Sequence, residues 1–278
     1  MSAVFPNPSA LGGTRVSQQS LFVAEADGLE PMEWAVGPWS PDTLQASAYG
    51  ALLVRALERS GEAPGMLLSR LSFDLWRPVT RQHLTAGTSI LRDGRKARTL
   101  EASLTQAGKS VARCTAVYLK TDAASTPLPP VTAPPVLGPD DGHPVPAHVR
   151  AWSPFFTGVD TRVVEGDLLK PGPAAAWFNL GRPLVLGEET SPFAHAVAAA
   201  DLASGISAVV DLRAWTFVNP DLTVLFWRVP RAPWILLRAE TVVGDLGTGV
   251  ARGTLSDLDG PFGACEQTLL FERRQPTT

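Results

Sequence analysis

Residues 191–210, SPFAHAVAAADLASGISAVV, and residues 40–60, SPDTLQASAYGALLVRALERS, carry the pattern that decides the fold. Each opens on Ser-Pro, and position 191 lies 151 residues after position 40. Serine suits a helix N-cap and proline suits the first helical turn, so each pair predicts the start of a helix. The first stretch also spaces apolar residues for one helical face, at Leu44, Ala48, Leu52 and Ala56. We expect helices at about 41–60 and 192–212.

The same offset of 151 residues relates other parts of the chain. Trp76-Arg77 recurs as Trp227-Arg228, and Cys114 recurs as Cys265. Each predicted helix follows one short apolar run, at 32–36 and 175–180, and precedes four β-like runs joined by turn residues. These runs are 68–76, 84–91, 96–106 and 110–120 in the first half, and 222–229, 234–243, 249–257 and 263–272 in the second. The pattern predicts a duplicated α+β unit in which an antiparallel sheet wraps a long central helix.

A proline-rich segment separates the two halves. Residues 121–146 contain 8 of the 25 prolines, which remove backbone donors and are incompatible with regular helix or inner strand. We therefore predict one domain at 1–120, a linker at 121–147 and a second domain at 148–278.

Composition excludes several classes of function. The formal charge of −3, from 24 basic and 27 acidic residues, leaves no excess of cations for a nucleic acid or an anionic membrane. The N-terminus lacks the pattern of a signal peptide, and no uncharged apolar run is long enough to span a bilayer, so we expect a cytoplasmic protein. The two cysteines are too few for a metal cluster or a disulfide framework, and we expect neither metal nor cofactor.

Several short motifs resemble those of the thioesterase-like superfamily, close to type II acyl-CoA thioesterases. They are GPWSPD at 37–42, ALLVRALE at 51–58, Arg77-Pro78, DGR at 93–95, QAGK at 106–109 and NPDLT at 219–223, with Gln267. The resemblance spans nearly the whole chain and implies a tandem (double) hotdog fold. It also implies a site in which an Asp, a Thr or Asn, and a Gln hold a water, and by position these are Asp201, Asn219 and Gln267. One departure is Gln45-Ala46-Ser47, where relatives commonly have His-Gly-Gly.

The residues themselves favour Asp201 as the centre of the site. It stands in the middle of an apolar helix, where an unpaired carboxylate would be costly, and such costs mark functional sites. Its counterpart 151 positions earlier is Gly50, so the fold does not require an acid there. The competing interpretation is a partly exposed helix position. Gln267, in the apolar run GACEQTLLF, either faces the same cavity or faces solvent.

Other candidates are weaker. Asn219 precedes Pro220 in what is ordinarily a turn signal, although its amide can both donate to a water and accept from it. Thr223 is the reserve candidate for that role. His195 lies six residues before Asp201, a spacing that places the two on different helical faces. Arg77 and Arg228 favour structural roles, with contact to a coenzyme A phosphate as the alternative.

The sequence thus predicts an acyl-CoA thioesterase of fatty acid metabolism, in which Asp201 activates a water while Asn219 and Gln267 position it. Two alternatives remain open: a non-catalytic acyl-binding double hotdog, and a hotdog hydratase or dehydratase. The second alternative normally needs a histidine paired with an acid, and no histidine has an evident acidic partner by spacing. Exposed sheet edges make a homo-oligomer plausible.

Overall fold

The computed structural model describes residues 19–122, 136–212 and 214–274. The helices are α1 (Ala46–Arg59), α2 (Ala147–Arg150), α3 (Pro154–Thr157), α4 (Pro192–Ala200) and α5 (Ala203–Ile206). The strands of the first half are β1 (Phe22–Glu25), β2 (Gly28–Pro31), β3 (Met66–Leu75), β4 (Thr85–Arg92), β5 (Ala97–Gln106) and β6 (Lys109–Lys120). Those of the second are β7 (His143–Pro144), β8 (Asp160–Glu165), β9 (Ala174–Asn179), β10 (Trp215–Val218), β11 (Asp221–Phe226), β12 (Ile235–Val243), β13 (Thr248–Asp257) and β14 (Gly260–Arg273).

One large antiparallel sheet crosses both halves of the chain. In the described residues its order is β4-β5-β6-β3-β11-β14-β13-β12-β9-β8-β7, and β10 also pairs with β14. The halves meet where β3 pairs with β11, with Phe73 opposite Leu222. Each half repeats one topology, because β4-β5-β6-β3 in the first half corresponds to β12-β13-β14-β11 in the second. The few helices and the antiparallel sheet agree with the predicted fold class in its general form.

Strand registers preserve the offset of 151 residues. Phe73 pairs with Cys114 across β3 and β6, and Val224 pairs with Cys265 across β11 and β14. The next two ladders keep the same correspondence: Ala102 with Cys114 matches Gly253 with Cys265, and Thr88 with Ala102 matches Ala239 with Gly253. The similarity that the sequence suggested at three places therefore extends to residue-by-residue strand pairing.

Helices α1 and α4 pack against each other and cover one face of the sheet. Helix α1 lies on β4, β5 and β6, and α4 lies on β12 and β13. Leu52, Leu53 and Leu57 of α1 are buried in this layer, and each contributes roughly 1.5–3 kcal/mol through removal of its side chain from water. Gly50 lies at this helix contact, where a Cβ would be 3.4 Å from Val197 Cγ1, an ordinary contact distance. This contact brings the start of α1 next to the end of α4.

Some predicted boundaries differ from the structure. The first helix begins at Ala46 rather than at Pro41, because residues 41–42 form a turn and Thr43 and Leu44 form bridges with Thr80 and Val36. The second helix begins at Pro192 as predicted, but it is interrupted at Asp201 and ends by Ile206. Residues 32–36 contain a 3-10 turn instead of a strand, and strands β1, β2, β7, β8 and β10 were not predicted.

The predicted linker lies partly outside the described residues. Its last part, 136–147, includes β7, which pairs with β8 at the edge of the sheet. The domain boundaries therefore stay predictions.

Among the helices of the described residues, none combines the length and the apolar character that crossing a membrane requires.

Candidate active site

Asp201 lies at an interruption between two helices. The N–H of Leu202 bonds to the Ala199 carbonyl, and α5 starts at the next residue. The N–H of Ser204 donates to Gln267 Oε1 at 3.2 Å, while Gln267 Nε2 donates to the Asp201 carbonyl at 3.0 Å. The side chain of Gln267 thus satisfies a donor and an acceptor at the interruption. It is 1% exposed and points inward, so the alternative of a solvent-facing glutamine does not hold.

A strand is interrupted at the same place. Strand β10 ends at Val218 and β11 begins at Asp221, and both pair with β14, in which Gln267 lies. Asp221 accepts hydrogen bonds from the N–H of Thr268 at 2.7 Å and from its hydroxyl at 2.9 Å. The amide of Asn219 is thereby directed to the helix layer, where Nδ2 donates to Asp201 Oδ1 at 3.2 Å. The turn that Asn219-Pro220 predicts therefore separates β10 from β11, and the same turn places Asn219 beside Asp201.

The first half of the chain supplies two further donors. Gln45 Nε2 lies 3.1 Å from Asp201 Oδ2, and the Ser47 hydroxyl lies 2.8 Å from the same oxygen. Both residues stand at the start of α1, where backbone N–H groups lack intrahelical partners. Sequence reasoning treated Gln45-Ala46-Ser47 only as a departure from related proteins. Two polar residues at the start of an otherwise buried apolar helix were the signal that these side chains have a partner.

Burial and hydrogen bonding act in opposite directions on the Asp201 carboxyl group. Burial raises the pKa of Asp201 and is the largest effect. Hydrogen bonds from Ser47, Gln45 and Asn219 to the ionised form lower it, but the pKa stays above that of an ordinary aspartate. The arrangement holds a carboxylate that is more basic than one in water, and a general base needs such a pKa.

Exposure differs among the residues around Asp201. Ser47 and Gln267 are buried, whereas Gln45 and Asn219 are half-buried. We therefore take the side of Gln45 and Asn219 as the approach to the carboxylate. Gln45 Oε1 is buried and accepts no hydrogen bond from the described residues. It is close to Gly37, where a Cβ would come within 2.8 Å of this oxygen.

Thr223 does not join this cluster. Its neighbours Leu222 and Val224 are buried on the helix-facing side of β11, so Thr223 belongs to the opposite face of the sheet. Strand alternation in the sequence already carried this signal. Burial lowers the pKa of His195 to about 4, which leaves it neutral at pH 7, and within the described residues it does not hydrogen-bond to Asp201. Both cysteines are buried, and burial raises the pKa of Cys265 to about 12, so neither is an activated thiolate.

The equivalent location in the other half has lost all polar groups. Shifted by 151 positions, the five residues of the cluster correspond to Gly50, Leu68, Ala116, Ala196 and Ala198. Glycine, alanine and leucine fill the same fold positions without hydrogen bonding, so the polar cluster is not required by the architecture. This asymmetry favours a chemical role for the cluster.

A second group of titratable residues lies on the surface. His83 Nδ1 is 3.6 Å from Glu25 Oε2, and His83 Nε2 is 3.6 Å from Asp27 Oδ1. The nitrogen and oxygen atoms with which these three residues could bind a metal ion lie within 4.8 Å of one another. Glu25 and Asp27 are exposed. His83 and the two acids lie close together where the β1–β2 turn meets the segment just before β4. No hydrogen bond in the described residues connects His83 with Asp201.

Two family models match this chain in succession. The model of the acyl-CoA thioesterase N-terminal domain matches residues 35–119, and that of the acyl-CoA thioesterase C-terminal domain matches residues 139–271. Together they include Asp201 and the four residues around it. No curated protein matches the sequence.

Solved structures with similar folds cover nearly the full chain. A thioesterase II described as putative, from Thermobifida fusca, has a TM-score of 0.70 at 17% identity and covers 95% of this chain and 99% of its own. A protein of unknown function with a hotdog fold from Alicyclobacillus acidocaldarius has a TM-score of 0.72 at 15% identity, with 95% and 100% coverage. An acyl-CoA thioesterase II from Mycobacterium marinum has a TM-score of 0.61 at 20% identity, with 83% and 91% coverage. At these identities the likeness shows the fold, which is the hotdog.

Proposed function

Because the chain belongs to the acyl-CoA thioesterase family, we propose that it hydrolyses a fatty-acyl or related CoA thioester with a water activated by Asp201. The observation that carries the proposal is the buried Asp201 carboxylate, held by donors from both halves of the chain. The 151-residue correspondence of the strand registers supports two hotdog domains, of which the second provides the acid.

In the proposed reaction Asp201 takes a proton from a water, and the water oxygen forms a bond to the thioester carbonyl carbon. The tetrahedral intermediate collapses with loss of the C–S bond. The CoA thiolate leaves and takes up the proton held by Asp201, which gives free acid and CoA. Asn219 orients the water through its amide oxygen, and Gln267, whose Nε2 donates to the carbonyl and the carboxylate of Asp201, holds the base in position. The N–H of Ala46, in the first turn of α1, is our candidate donor to the oxyanion, since it has no intrahelical partner.

One observation favours a second function, non-catalytic acyl binding. Both carboxylate oxygens of Asp201 already accept hydrogen bonds, and those from Ser47 and Gln45 come from the start of α1. Such a carboxylate also satisfies the requirements of a structural cap for a helix N-terminus. A hydratase has less support, because none of the described histidines hydrogen-bonds to Asp201.

Substitution Asp201→Asn distinguishes a base from a cap. We expect turnover of the best acyl-CoA, measured by thiol release, to fall by roughly 10²–10⁴-fold, the usual contribution of a general base. The new NH₂ group replaces an oxygen that accepts hydrogen bonds, so a loss of about 1–3 kcal/mol in the free energy of unfolding is expected alongside. Acyl-CoA binding should be largely retained.

The matched control is Gly50→Ala at the equivalent position of the first half. Its new methyl group meets Val197 at ordinary contact distance, and turnover should stay near that of the wild type. Wild-type turnover in Asp201→Asn would contradict the mechanism. Absence of turnover in the wild-type protein, together with acyl-CoA binding, would establish the binding function instead.

A further inference from the structure

Trp76-Arg77 and Trp227-Arg228 occupy equivalent places in the two halves. The N–H of Trp76 donates to the Val111 carbonyl and that of Trp227 donates to the Phe262 carbonyl, and residues 111 and 262 are again 151 positions apart. Each arginine therefore leaves its strand at the same point. The surroundings of the two side chains differ.

Arg228 is fully engaged within the protein. Its guanidinium forms two hydrogen bonds of 2.6 Å with the carboxylate of Asp257, which is 0% exposed, and also donates to the carbonyls of Gly260 and Pro261. A bidentate pair with a buried carboxylate fixes the guanidinium in place. Arg228 therefore has a structural role.

The first half replaces that buried acid with an amide. Gln106 corresponds to Asp257, and both accept from the matching backbone N–H: Thr80 donates to Gln106 Oε1 at 3.0 Å, and Arg231 donates to Asp257 Oδ2 at 2.8 Å. Gln106 Nε2 donates to the Thr80 and Gln82 carbonyls, so this amide is occupied and cannot form an ion pair. Arg77 is exposed, and its side chain makes no ion pair or hydrogen bond within the described residues.

Arg77 lies on a segment that runs beside the approach to Asp201. The N–H of Leu75 donates to the Pro220 carbonyl at 2.8 Å, next to Asn219. Further along, the N–H of Arg81 donates to the Asp42 carbonyl at 3.0 Å, three residues before Gln45. Residues 75–81 therefore connect the backbone segments that carry the two half-buried members of the site.

The charge of this segment is positive. Arg77 and Arg81 are both exposed, and neither pairs with Asp42, the exposed acid beside them, in the part of the chain that the structure describes. Guanidinium groups bind phosphates with paired N–H donors. A thioester whose carbonyl reached Asp201 past Gln45 and Asn219 would carry its leaving group outward along this segment.

We propose that Arg77, together with Arg81, binds the phosphates of the coenzyme A moiety. The inference rests on the proposed thioesterase function for the orientation of the substrate. It explains why the duplicated Trp-Arg pair differs between the halves: the second-half arginine stabilises the fold, and the first-half arginine is available to an anion.

The test uses the Arg77→Ala/Arg81→Ala variant of the full chain. For an acyl-CoA, we expect KM to rise roughly tenfold with kcat unchanged, since exposed ion pairs each contribute modestly. For the same acyl group on pantetheine, which carries no phosphate, KM should not change. Raising the salt concentration should increase the wild-type KM for acyl-CoA more than that of the variant.

The control is Arg95→Ala, an exposed arginine in the turn between β4 and β5. It should leave both KM values unchanged. An equal rise of KM for acyl-CoA and acyl-pantetheine, or no rise for either, would overturn the proposal. A rise of KM confined to thioesters of acyl carrier protein would also overturn the proposal, because it would assign the arginines to a protein partner.

A binding measurement separates this inference from the proposed function. Titration of CoA itself into the wild type and the variant by calorimetry requires no turnover. Affinity about tenfold weaker in the variant supports the phosphate site even if no thioester is hydrolysed. Absence of CoA binding to the wild-type protein would overturn the proposed phosphate site.

Discussion

Asp201 combines burial with several hydrogen-bond donors, and its protonation state connects activity to pH. We expect kcat/KM to rise with pH as the carboxyl group ionises and to level off above a pKa that is raised relative to the ~3.9 of a free aspartate. The pH–rate profile on a good acyl-CoA checks this. A profile with no ionisation above the ordinary carboxyl range would contradict the role of a buried base.

The same shift makes a prediction for stability. Because the folded-state pKa of Asp201 is raised, this group contributes stability that is present below its unfolded-state pKa and is lost as pH rises through the folded-state value. Asp201→Asn cannot titrate, so its free energy of unfolding should decline less than that of the wild type across this window. Urea unfolding of both proteins at a series of pH values measures the difference.

At the residue scale, local sequence indicated some members of the site but not all of them. Asp201 and Gln267 were recognisable because polar groups in apolar helices and strands are costly unless they have partners. Ser47 and Gln45 hydrogen-bond to a residue more than 150 positions away, and only the packing of α1 against α4 creates that contact. Thr223 was a weaker candidate that strand alternation places on the other face.

At the scale of elements, the Arg228–Asp257 pair joins the end of β11 to the end of β13. Burial would raise the pKa of the Asp257 carboxyl, but hydrogen bonds from Arg228, Arg231 and Asp259 lower it overall. Asp257→Asn should reduce the free energy of unfolding by about 1–3 kcal/mol at neutral pH, because the half-buried Arg228 loses its charged partner while keeping its carbonyl acceptors. Chemical denaturation of the variant measures this.

The loss should also depend on pH. The depressed folded-state pKa of Asp257 gives stability that is present above its unfolded-state pKa and is lost as pH falls through the folded-state value. The free energies of unfolding of the wild type and of Asp257→Asn should therefore become equal at acidic pH. Gln106→Leu, the equivalent change in the first half, removes no titrating group, and its cost should stay constant with pH. A pH-independent difference for Asp257→Asn would assign its effect to packing rather than charge.

Element boundaries could be predicted where the local signal and the tertiary contacts agree. Ser191 caps α4 as expected, since its hydroxyl accepts from the N–H of Ala194. Ser40 has the same local sequence but does not start a helix, because Thr43 and Leu44 pair with residues of other segments. Helix propensity also does not predict the interruption at Asp201. The helical hydrogen bonds lost by Ser204 N–H and the Asp201 carbonyl are replaced by bonds to the side chain of Gln267 in β14.

At the scale of the whole molecule, the two halves share one sheet and one site. Strand β3 pairs with β11 along five residue pairs, and α1 packs on α4. Gln45 and Ser47 come from the first half, while Asp201, Asn219 and Gln267 come from the second. The duplication was predictable from the offset in the sequence. The direct joining of the halves edge to edge was not, because β3 and β11 are separated by more than 100 residues.

This joining predicts that the halves unfold together. Separation would expose the paired edges of β3 and β11 and the contact between α1 and α4, so an intermediate with only one folded half should be unstable. We expect a single calorimetric transition whose van't Hoff and calorimetric enthalpies agree. Asp257→Asn in the second half and Gln106→Leu in the first should each lower that one transition, by roughly 2–4 °C per kcal/mol lost. Two resolved transitions, with each variant moving only one of them, would mean that the halves are independently stable and that the β3–β11 junction contributes little to the fold.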